Sequence, residues 1–273
     1  MATTIPGASP AASAAQRWAE ALESWAIPSE ILAAAPESPW SFPQALFARV
    51  AARALASPST PSRLRALEAM PDGGEVLDVG VGAGAASLPL APPAARLVGV
   101  DQSADMLGSF AATAEARGVA HEEVQGSWPE VSSGVAPADV VVCHHVAYNV
   151  ADLVPFVAAL TGHARRRVVL ELTAQHPQAI SNPLWLELHG VVRPTSPTAD
   201  DAIAVLDQMG LTVGVERFER SLDHGEEELA HVVPFVRRQL CLGPERDAEI
   251  GAALSRHGRP GLRHAVTLWW DCA

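Results

Sequence analysis

Three glycines and a distant acid form the clearest chemical pattern in this sequence. Gly80, Gly82 and Gly84 follow the apolar segment 75–79, and Asp101 ends a second apolar segment about twenty residues later. Glycine lets the chain turn sharply and bring its backbone close to a ligand, because it has no Cβ. A carboxylate at the tip of the second strand can accept hydrogen bonds from both ribose hydroxyls. The pattern predicts strand, glycine turn, helix, strand and acid, which is half of a nucleoside-binding fold.

A second group of polar residues follows two later apolar segments. His144 and His145 end the first segment, Tyr148 comes just after them, and Glu171 lies near the end of the other. Imidazole titrates near neutral pH, so either histidine could act as a general base towards an alcohol. The pair could instead hold a metal ion with Glu171 or His176, or be structural. Neighbouring residues on an extended chain point in opposite directions, so at most one histidine is expected to face a given ligand.

Glu171 and Tyr148 each leave two alternatives open. An unpaired carboxylate among apolar strand residues is costly. Glu171 therefore either pairs with an arginine of the segment 165–167 or faces a pocket, and the pocket is favoured. Tyr148 could take part in catalysis or could simply pack.

Two cofactor classes share a glycine turn of this kind. The dinucleotide pattern G-x-G-x-x-G/A is met by Gly80, Gly82 and Ala85, but dinucleotide enzymes usually begin with this unit, and about seventy residues precede it here. The sequence more closely resembles the class I S-adenosylmethionine-dependent methyltransferases over residues 75 to 173. Four segments carry this resemblance in the family's order: Asp78-Val-Gly-Val-Gly-Ala-Gly84, Asp101-Gln-Ser-Ala-Asp-Met-Leu107, Gln125-Gly-Ser-Trp-Pro129 and Ala138-Asp-Val-Val-Val-Cys-His-His145.

The resemblance implies S-adenosylmethionine as the cofactor and assigns residues to its parts. The glycines would approach the methionine moiety, Asp101 would bind the ribose, and the remaining contacts would reach the adenine. The implied cofactor-binding residues are Asp78, Gly80, Gly82, Gly84, Asp101, Gln102, Met106, Ser127, Trp128 and His144. Many relatives carry an aspartate where Ser127 stands, so a serine hydroxyl or the backbone would replace that contact. A divalent metal ion is an alternative that the resemblance does not favour.

The resemblance also implies the fold class, an α/β Rossmann-like sheet with strand order 3-2-1-4-5-7-6. The expected division is a disordered tail at 1–15, a helical extension or lid at 16–70, and a core at 71–273 with an insertion at 173–197. Beyond the insertion the sequence predicts a helix at 198–210, a strand at 211–217, helices at 226–242 and 245–255, and a closing strand at 265–270.

Two segments outside the core pattern supply candidate acceptor-binding residues. Trp40 lies in a proline-rich stretch that could cover the cofactor, and the insertion contains His176, Trp185 and His189. Insertions after a core strand are common places for specificity. An amphipathic helix with incidental polar residues is the alternative for this insertion.

Composition sets limits on partners and location. The chain has 273 residues, a net charge of −12 and 19 cationic side chains, all of them arginine. This composition indicates a GC-rich, actinobacterial genome, excludes lysine-based covalent chemistry, and argues against nucleic acid as the main partner. Cys143, Cys241 and Cys272 have no paired spacing and are expected to be reduced thiols in a cytoplasmic protein. Neither an export signal nor a membrane-spanning segment is predicted, and a homodimer is left open.

These observations predict a methyltransferase that acts on a small molecule. A hydroxyl acceptor is preferred because of the two histidines, and a sugar, a polysaccharide precursor or a secondary metabolite would fit. The amino-methylating signature N/D-P-P-Y/F is absent after the fourth strand, which argues against nucleic-acid bases and glutamine. The alternatives are N-methylation, a nicotinamide-dependent oxidoreductase, and a cofactor-binding protein without catalysis.

Overall fold

Seven strands form the centre of the molecule. The computed structural model describes residues 12–40, 44–57, 59–221, 229–257 and 262–272. The strands are β1 (Glu75–Val79), β2 (Arg96–Asp101), β3 (Ala120–Gln125), β4 (Ala138–His144), β5 (Ala164–Thr173), β6 (Gly214–Ser221) and β7 (Leu262–Asp271). They form one sheet in the order β3-β2-β1-β4-β5-β7-β6, which confirms the predicted order.

Ten α-helices surround this sheet within the described residues. Four precede it: α1 (Ala14–Glu23), α2 (Ser29–Ala33), α3 (Gln44–Ala56) and α4 (Pro61–Ala69). The other six are α5 (Ala104–Ala116), α6 (Leu153–His163), α7 (Asn182–His189), α8 (Ala199–Gln208), α9 (Leu229–Gln239) and α10 (Asp247–His257). The predicted start of α9 at Glu226 and most of the predicted tail lie outside the described residues. Ser13 caps α1 through its hydroxyl, so the helix begins inside the tail predicted for 1–15.

Strand direction explains which chain segments meet. The first five strands are parallel to their neighbours, whereas β7 is antiparallel to both β5 and β6. The ends of β5 and β6 and the start of β7 therefore lie at the same edge of the sheet as the ends of β1, β2 and β4. Loops that could bind a ligand leave from this carboxyl edge.

The connection between β1 and β2 differs from the sequence prediction. An α-helix was predicted after the glycine turn, but residues 82–95 form turns and one short 3₁₀ helix, Leu88–Leu90. Pro89, Pro92 and Pro93 explain the difference, since proline lacks the amide hydrogen that an α-helix needs and its ring clashes with the preceding turn. Helices α3 and α4 pack against this 3₁₀ segment, and α4 also lies on β4, β5 and β7. Part of the N-terminal extension thus packs beside the crossover and on the same sheet.

Three groups of buried side chains follow from this arrangement. One group fills the sheet face beneath α1, α6 and α8, and another fills the opposite face beneath α4 and α5. The third group, which we call the cap, is built from segments that leave the carboxyl edge. Its buried members are Ile27, Leu184, Trp185, Val236, Leu240, Cys241, Leu242, Ile250 and Ala253.

None of the helices in the described ranges combines the length and the apolar character that crossing a lipid bilayer requires.

Candidate active site

Asp101 holds the glycine turn in place at the end of β2. Its Oδ2 accepts a hydrogen bond from the amide of Gly82, and its Oδ1 accepts one from the amide of Ser103, each 2.9 Å long. Gly80 and Val81 both donate their amides to the carbonyl of Val100. Each carboxylate oxygen has a second lone-pair direction, so Asp101 can still accept hydrogen bonds from a ligand. The glycine turn and the acid are thus joined directly, a contact that the sequence did not predict.

All three glycines of the turn have positive φ angles, 76°, 52° and 85° for Gly80, Gly82 and Gly84. A Cβ atom on Gly80 would lie 2.3 Å from Cγ2 of Val146, and one on Gly84 would lie 2.5 Å from Cδ1 of Leu88. Packing within the protein therefore requires glycine at these two positions, whatever the ligand. The contact with Val146 also joins the glycine turn to the turn after β4.

Asp78 lies beneath the glycine turn rather than on its surface. Its side chain is only 1% exposed, and Ser87 Oγ donates a 2.6 Å hydrogen bond to its Oδ2. Burial raises the pKa of Asp78 to about 7, although the hydrogen bonds from Ser87 oppose that shift. Any effect of Asp78 on a ligand would act through the turn that it supports.

The residues implied for adenine binding surround the ends of β2 and β3. Gln102 is exposed at the start of α5, while Met106 is buried on its first turn. Ser127 is half-buried, and Trp128 is buried with its ring edge against His163. The indole Nε1 of Trp128 is buried and makes no hydrogen bond to any described residue. An orphaned donor of this kind is compatible with a ligand or water partner.

The two histidines at the end of β4 meet Glu171 of β5. His144 is paired with Glu171 in the parallel register, which places the two residues side by side. His145 has a φ of 62°, an uncommon conformation for a non-glycine residue. Its Nε2 lies 3.0 Å from Glu171 Oε1, and its amide donates to the Glu171 carbonyl. The extended strand has ended at His145, so the alternation of an extended chain does not apply to this pair, and which histidine faces a ligand stays a prediction.

Glu171 is fully buried, and its second oxygen faces helix α4. Ser62 Oγ donates a 2.6 Å hydrogen bond to Glu171 Oε2 and lies 2.6 Å from Thr267 Oγ1 on β7. Arg165, Arg166 and Arg167 form their ion pairs elsewhere, with Glu75, Asp139, Glu68 and Asp271. None of these three arginines is the partner of Glu171, because they lie at the opposite end of the same strand.

Tyr148 and His176 lie in an aromatic group that attaches α1 to the core. The ring of Tyr148 stacks on Trp18 and meets His176 edge-on, and His176 stacks on Trp25 at 4.0 Å. Tyr148 donates its hydroxyl to the Thr173 carbonyl, and burial raises its pKa above the ordinary value. Burial, aided by Arg193, lowers the pKa of His176 to about 4. Both side chains thus have evident packing roles.

The cap contains Trp185 and His189. Trp185 is buried, and His189 stacks on it and makes a 2.7 Å hydrogen bond to the Leu240 carbonyl. His189 also lines a pocket of about 530 Å³ whose walls include Glu30 and Cys241. That pocket lies between α2 and the segment after α9, and no strand-end residue lines it. Trp40 is 53% exposed.

Within the described part of the chain, no group of three or more His, Cys, Asp or Glu side chains is arranged to hold a metal ion. The structure brings together the glycine turn with Asp101, and the histidine turn with Glu171. Sequence reasoning missed Ser62, Val146 and Thr267. No local pattern marks their roles, because the contacts of Ser62 with Glu171 and Thr267, and of Val146 with Gly80, join residues that are distant in sequence.

Comparisons with known proteins identify the central segment. Residues 76–166 match the model of a family described as methyltransferase domain. No curated protein matches the sequence significantly. The structure is similar to the YcgJ protein of Bacillus subtilis, with a TM-score of 0.52, 16% identity, and 77% of this chain and 97% of that chain covered. It is also similar to an S-adenosylmethionine-dependent methyltransferase of Thiobacillus denitrificans solved with S-adenosyl-L-homocysteine. The TM-score is 0.51, with 20% identity and with 85% of this chain and 99% of that chain covered.

Proposed function

We propose that this protein transfers a methyl group from S-adenosylmethionine to a small-molecule acceptor, and that the acceptor atom is a hydroxyl oxygen. The chain carries a methyltransferase domain on the class I methyltransferase fold. One observation carries the proposal. The segment that matches the methyltransferase-domain family contains the glycine turn, Asp101 and the histidine turn, all at the carboxyl edge of one sheet.

The residues at the ends of β1 and β2 fit the cofactor. Asp101 keeps acceptor capacity for the ribose hydroxyls, Gly82 lies at the surface of the turn, and Trp128 offers an unused indole N–H. When bound, S-adenosylmethionine would supply the methyl group of its sulfonium to an acceptor held in line with the C–S bond, and the thioether would be the leaving group. The protein's task is then to hold the acceptor in line and to take up its proton.

A hydroxyl acceptor is supported by the histidine turn. An alcohol becomes a better nucleophile when a base removes its proton as the new C–O bond forms, and His145 lies beside the glycine turn through Val146. The connections between β5 and β6 and between β6 and β7, which supply most of the cap, lie next to this edge in the chain and are where an acceptor site would be built. A sugar or another hydroxylated metabolite fits these constraints.

Calorimetry with S-adenosyl-L-homocysteine tests the cofactor assignment. We expect the wild-type protein to bind it and not NAD. Asp101→Ala should weaken binding by about 1.5–3 kcal/mol, the range for losing a hydrogen bond to a charged group. Asp207→Ala is the matched control, because this exposed acid lies on α8 away from the strand ends. Equal affinity in the Asp101 variant and the control would disprove the assignment of the ribose site.

The acceptor is tested by transfer of a labelled methyl group to two matched panels, one of catechols and sugars and one of primary and secondary amines. Turnover with hydroxyl compounds alone supports the proposal. Turnover with amines alone would replace it by N-methylation. EDTA should leave the rate unchanged, whereas loss of activity that Mg²⁺ restores would assign a metal-dependent reaction.

A further inference from the structure

Glu171 is a fully buried carboxylate with side-chain partners on two other chain segments. One oxygen accepts a 2.6 Å hydrogen bond from Ser62 of α4, and the other lies within ion-pair distance, 3.0 Å, of His145 Nε2. Burying a carboxylate is costly unless donors surround it. Packing alone does not explain such a residue on a strand whose neighbours, Leu170 and Leu172, are apolar and fully buried.

The hydrogen bonds around Glu171 have a defined direction. Ser62 has a single hydroxyl proton, which it donates to Glu171 Oε2, so the 2.6 Å contact between Ser62 and Thr267 requires Thr267 to be the donor. Thr267 therefore donates its hydroxyl to Ser62, and Ser62 donates its hydroxyl to Glu171. A carboxylate that receives hydrogen bonds at one oxygen is held in one rotamer, with its other oxygen fixed towards His145.

The backbone around His145 is also specialised. Its φ of 62° is strained for a side chain of this size, and such strain persists only where surrounding contacts impose it. Its amide bond to the Glu171 carbonyl and its ring contact with the Glu171 carboxylate supply two such constraints. About one third of the side chain remains exposed. The other ring nitrogen, Nδ1, is shielded from solvent and makes no hydrogen bond to any described residue.

We infer that Glu171 is a positioning residue that holds the His145 ring with its Nε2–H towards the carboxylate. Nδ1 of His145 is then left to take up the proton of the acceptor hydroxyl. Ser62 of the N-terminal helix α4 fixes Glu171 for this role. The inference rests on the proposed methyl transfer. A carboxylate behind an imidazole orients the ring, sets its tautomer and stabilises the imidazolium that forms on proton uptake. Because Nδ1 is shielded, the acceptor hydroxyl reaches it only when the turn shifts on binding.

A purely structural role would be different in one respect. The contacts among Ser62, Glu171 and Thr267 are sufficient to hold α4 on the sheet. That structural role would not depend on the ring orientation or tautomer of His145. The decisive observations are therefore the His145 imidazole proton and the turnover rate, and not stability alone.

Proton NMR of the full chain tests the positioning directly. We expect a slowly exchanging, downfield imidazole N–H signal in the wild type, assigned to His145 by its loss in His145→Gln. Glu171→Gln should move this signal upfield and speed its exchange with solvent, because a neutral amide oxygen is a weaker acceptor than a carboxylate, and Ser62→Ala should make the exchange at least tenfold faster. Thr161→Val is the control. It removes the 3.0 Å hydrogen bond that Trp270 Nε1 donates to Thr161 Oγ1, on the sheet face opposite α4, and it should leave the His145 signal unchanged.

Kinetics with the best acceptor from the hydroxyl panel provides the second readout. Glu171→Gln should lower kcat by about 10- to 100-fold, the range for removing the group that orients a functional histidine, with little change in KM. Ser62→Ala should lower kcat in the same direction but less. If Glu171→Gln does not fold, Ser62→Ala carries the test in both readouts.

The inference is overturned if the His145 signal keeps its position and exchange rate in Glu171→Gln, if Ser62→Ala leaves the exchange unchanged, or if the kcat of Glu171→Gln matches that of the Thr161 control. Failure of the proposed function appears separately, as absence of S-adenosyl-L-homocysteine binding in the wild type while the His145 signal still depends on Glu171.

Discussion

Asp78 offers a quantitative test of how the glycine turn is supported. The substitution is Asp78→Asn, which keeps the size of the side chain and an oxygen that can accept the hydrogen bond from Ser87 Oγ. It removes only the ability to ionise. Any effect that depends on pH can then be assigned to the charge on Asp78.

The sign of the effect follows from the direction of the pKa shift. Burial raises the pKa of Asp78 from its ordinary value of 3.8 to about 7. The folded protein therefore binds this proton more tightly than the unfolded chain does, so the free energy of unfolding falls as the pH rises from about 4 to about 7. At about 1.4 kcal/mol for each pKa unit, the loss amounts to about 4 kcal/mol. The stabilising contribution is fully present below pH 4 and is lost above pH 7.

Urea denaturation followed by tryptophan fluorescence provides the assay. We expect Asp78→Asn and the wild type to have similar free energies of unfolding at pH 4, and we expect the variant to become more stable by about 4 kcal/mol at pH 8. Asp207→Asn, an exposed acid on α8, is the control and should show no such divergence. A difference between variant and wild type that stays constant from pH 4 to pH 8 would refute the reasoning.

Three further predictions concern packing. Burial lowers the pKa of His176 from its ordinary value of 6.5 to about 4. The contribution of neutral His176 to the free energy of unfolding is therefore present above pH 6.5 and is lost as the pH falls towards 4. In urea titrations, His176→Phe should lose less stability than the wild type over that interval. Tyr148→Phe should cost about 1 kcal/mol in unfolding free energy, for the lost hydrogen bond to the Thr173 carbonyl, and calorimetry should show unchanged binding of S-adenosyl-L-homocysteine. Gly84→Ala should lower the melting temperature strongly, because its Cβ would lie 2.5 Å from Leu88 at a positive φ, and an unchanged melting temperature would contradict this packing.

The sheet was predictable from sequence because its signals are local. Fully apolar segments such as Val140–Val142 suit a parallel strand that is buried on both faces, and the glycine turn and Asp101 mark the ends of β1 and β2. The segments recur in the order of a known family, which supplied the strand order that periodicity cannot give. Strand boundaries were also close, although β6 begins three residues after the predicted start at 211.

Other features depend on contacts between residues that are distant in sequence. The glycine pattern predicted a ligand-facing turn, yet Gly80 and Gly84 are required by Val146 and Leu88. The position of Glu171 on an apolar strand predicted an unusual environment, but its partner Ser62 lies 109 residues away. No single-sequence pattern records such a contact.

Helix α4 connects these observations. It packs on β4, β5 and β7 and against the 3₁₀ segment between β1 and β2. Ser62, on the first turn of α4, is thereby brought against Glu171, and Glu171 in turn contacts the histidine turn. A helix far upstream of the glycine turn thus becomes part of the structure that positions His145. We therefore expect removal of the N-terminal helices to lower kcat for the hydroxyl acceptor as well as the free energy of unfolding.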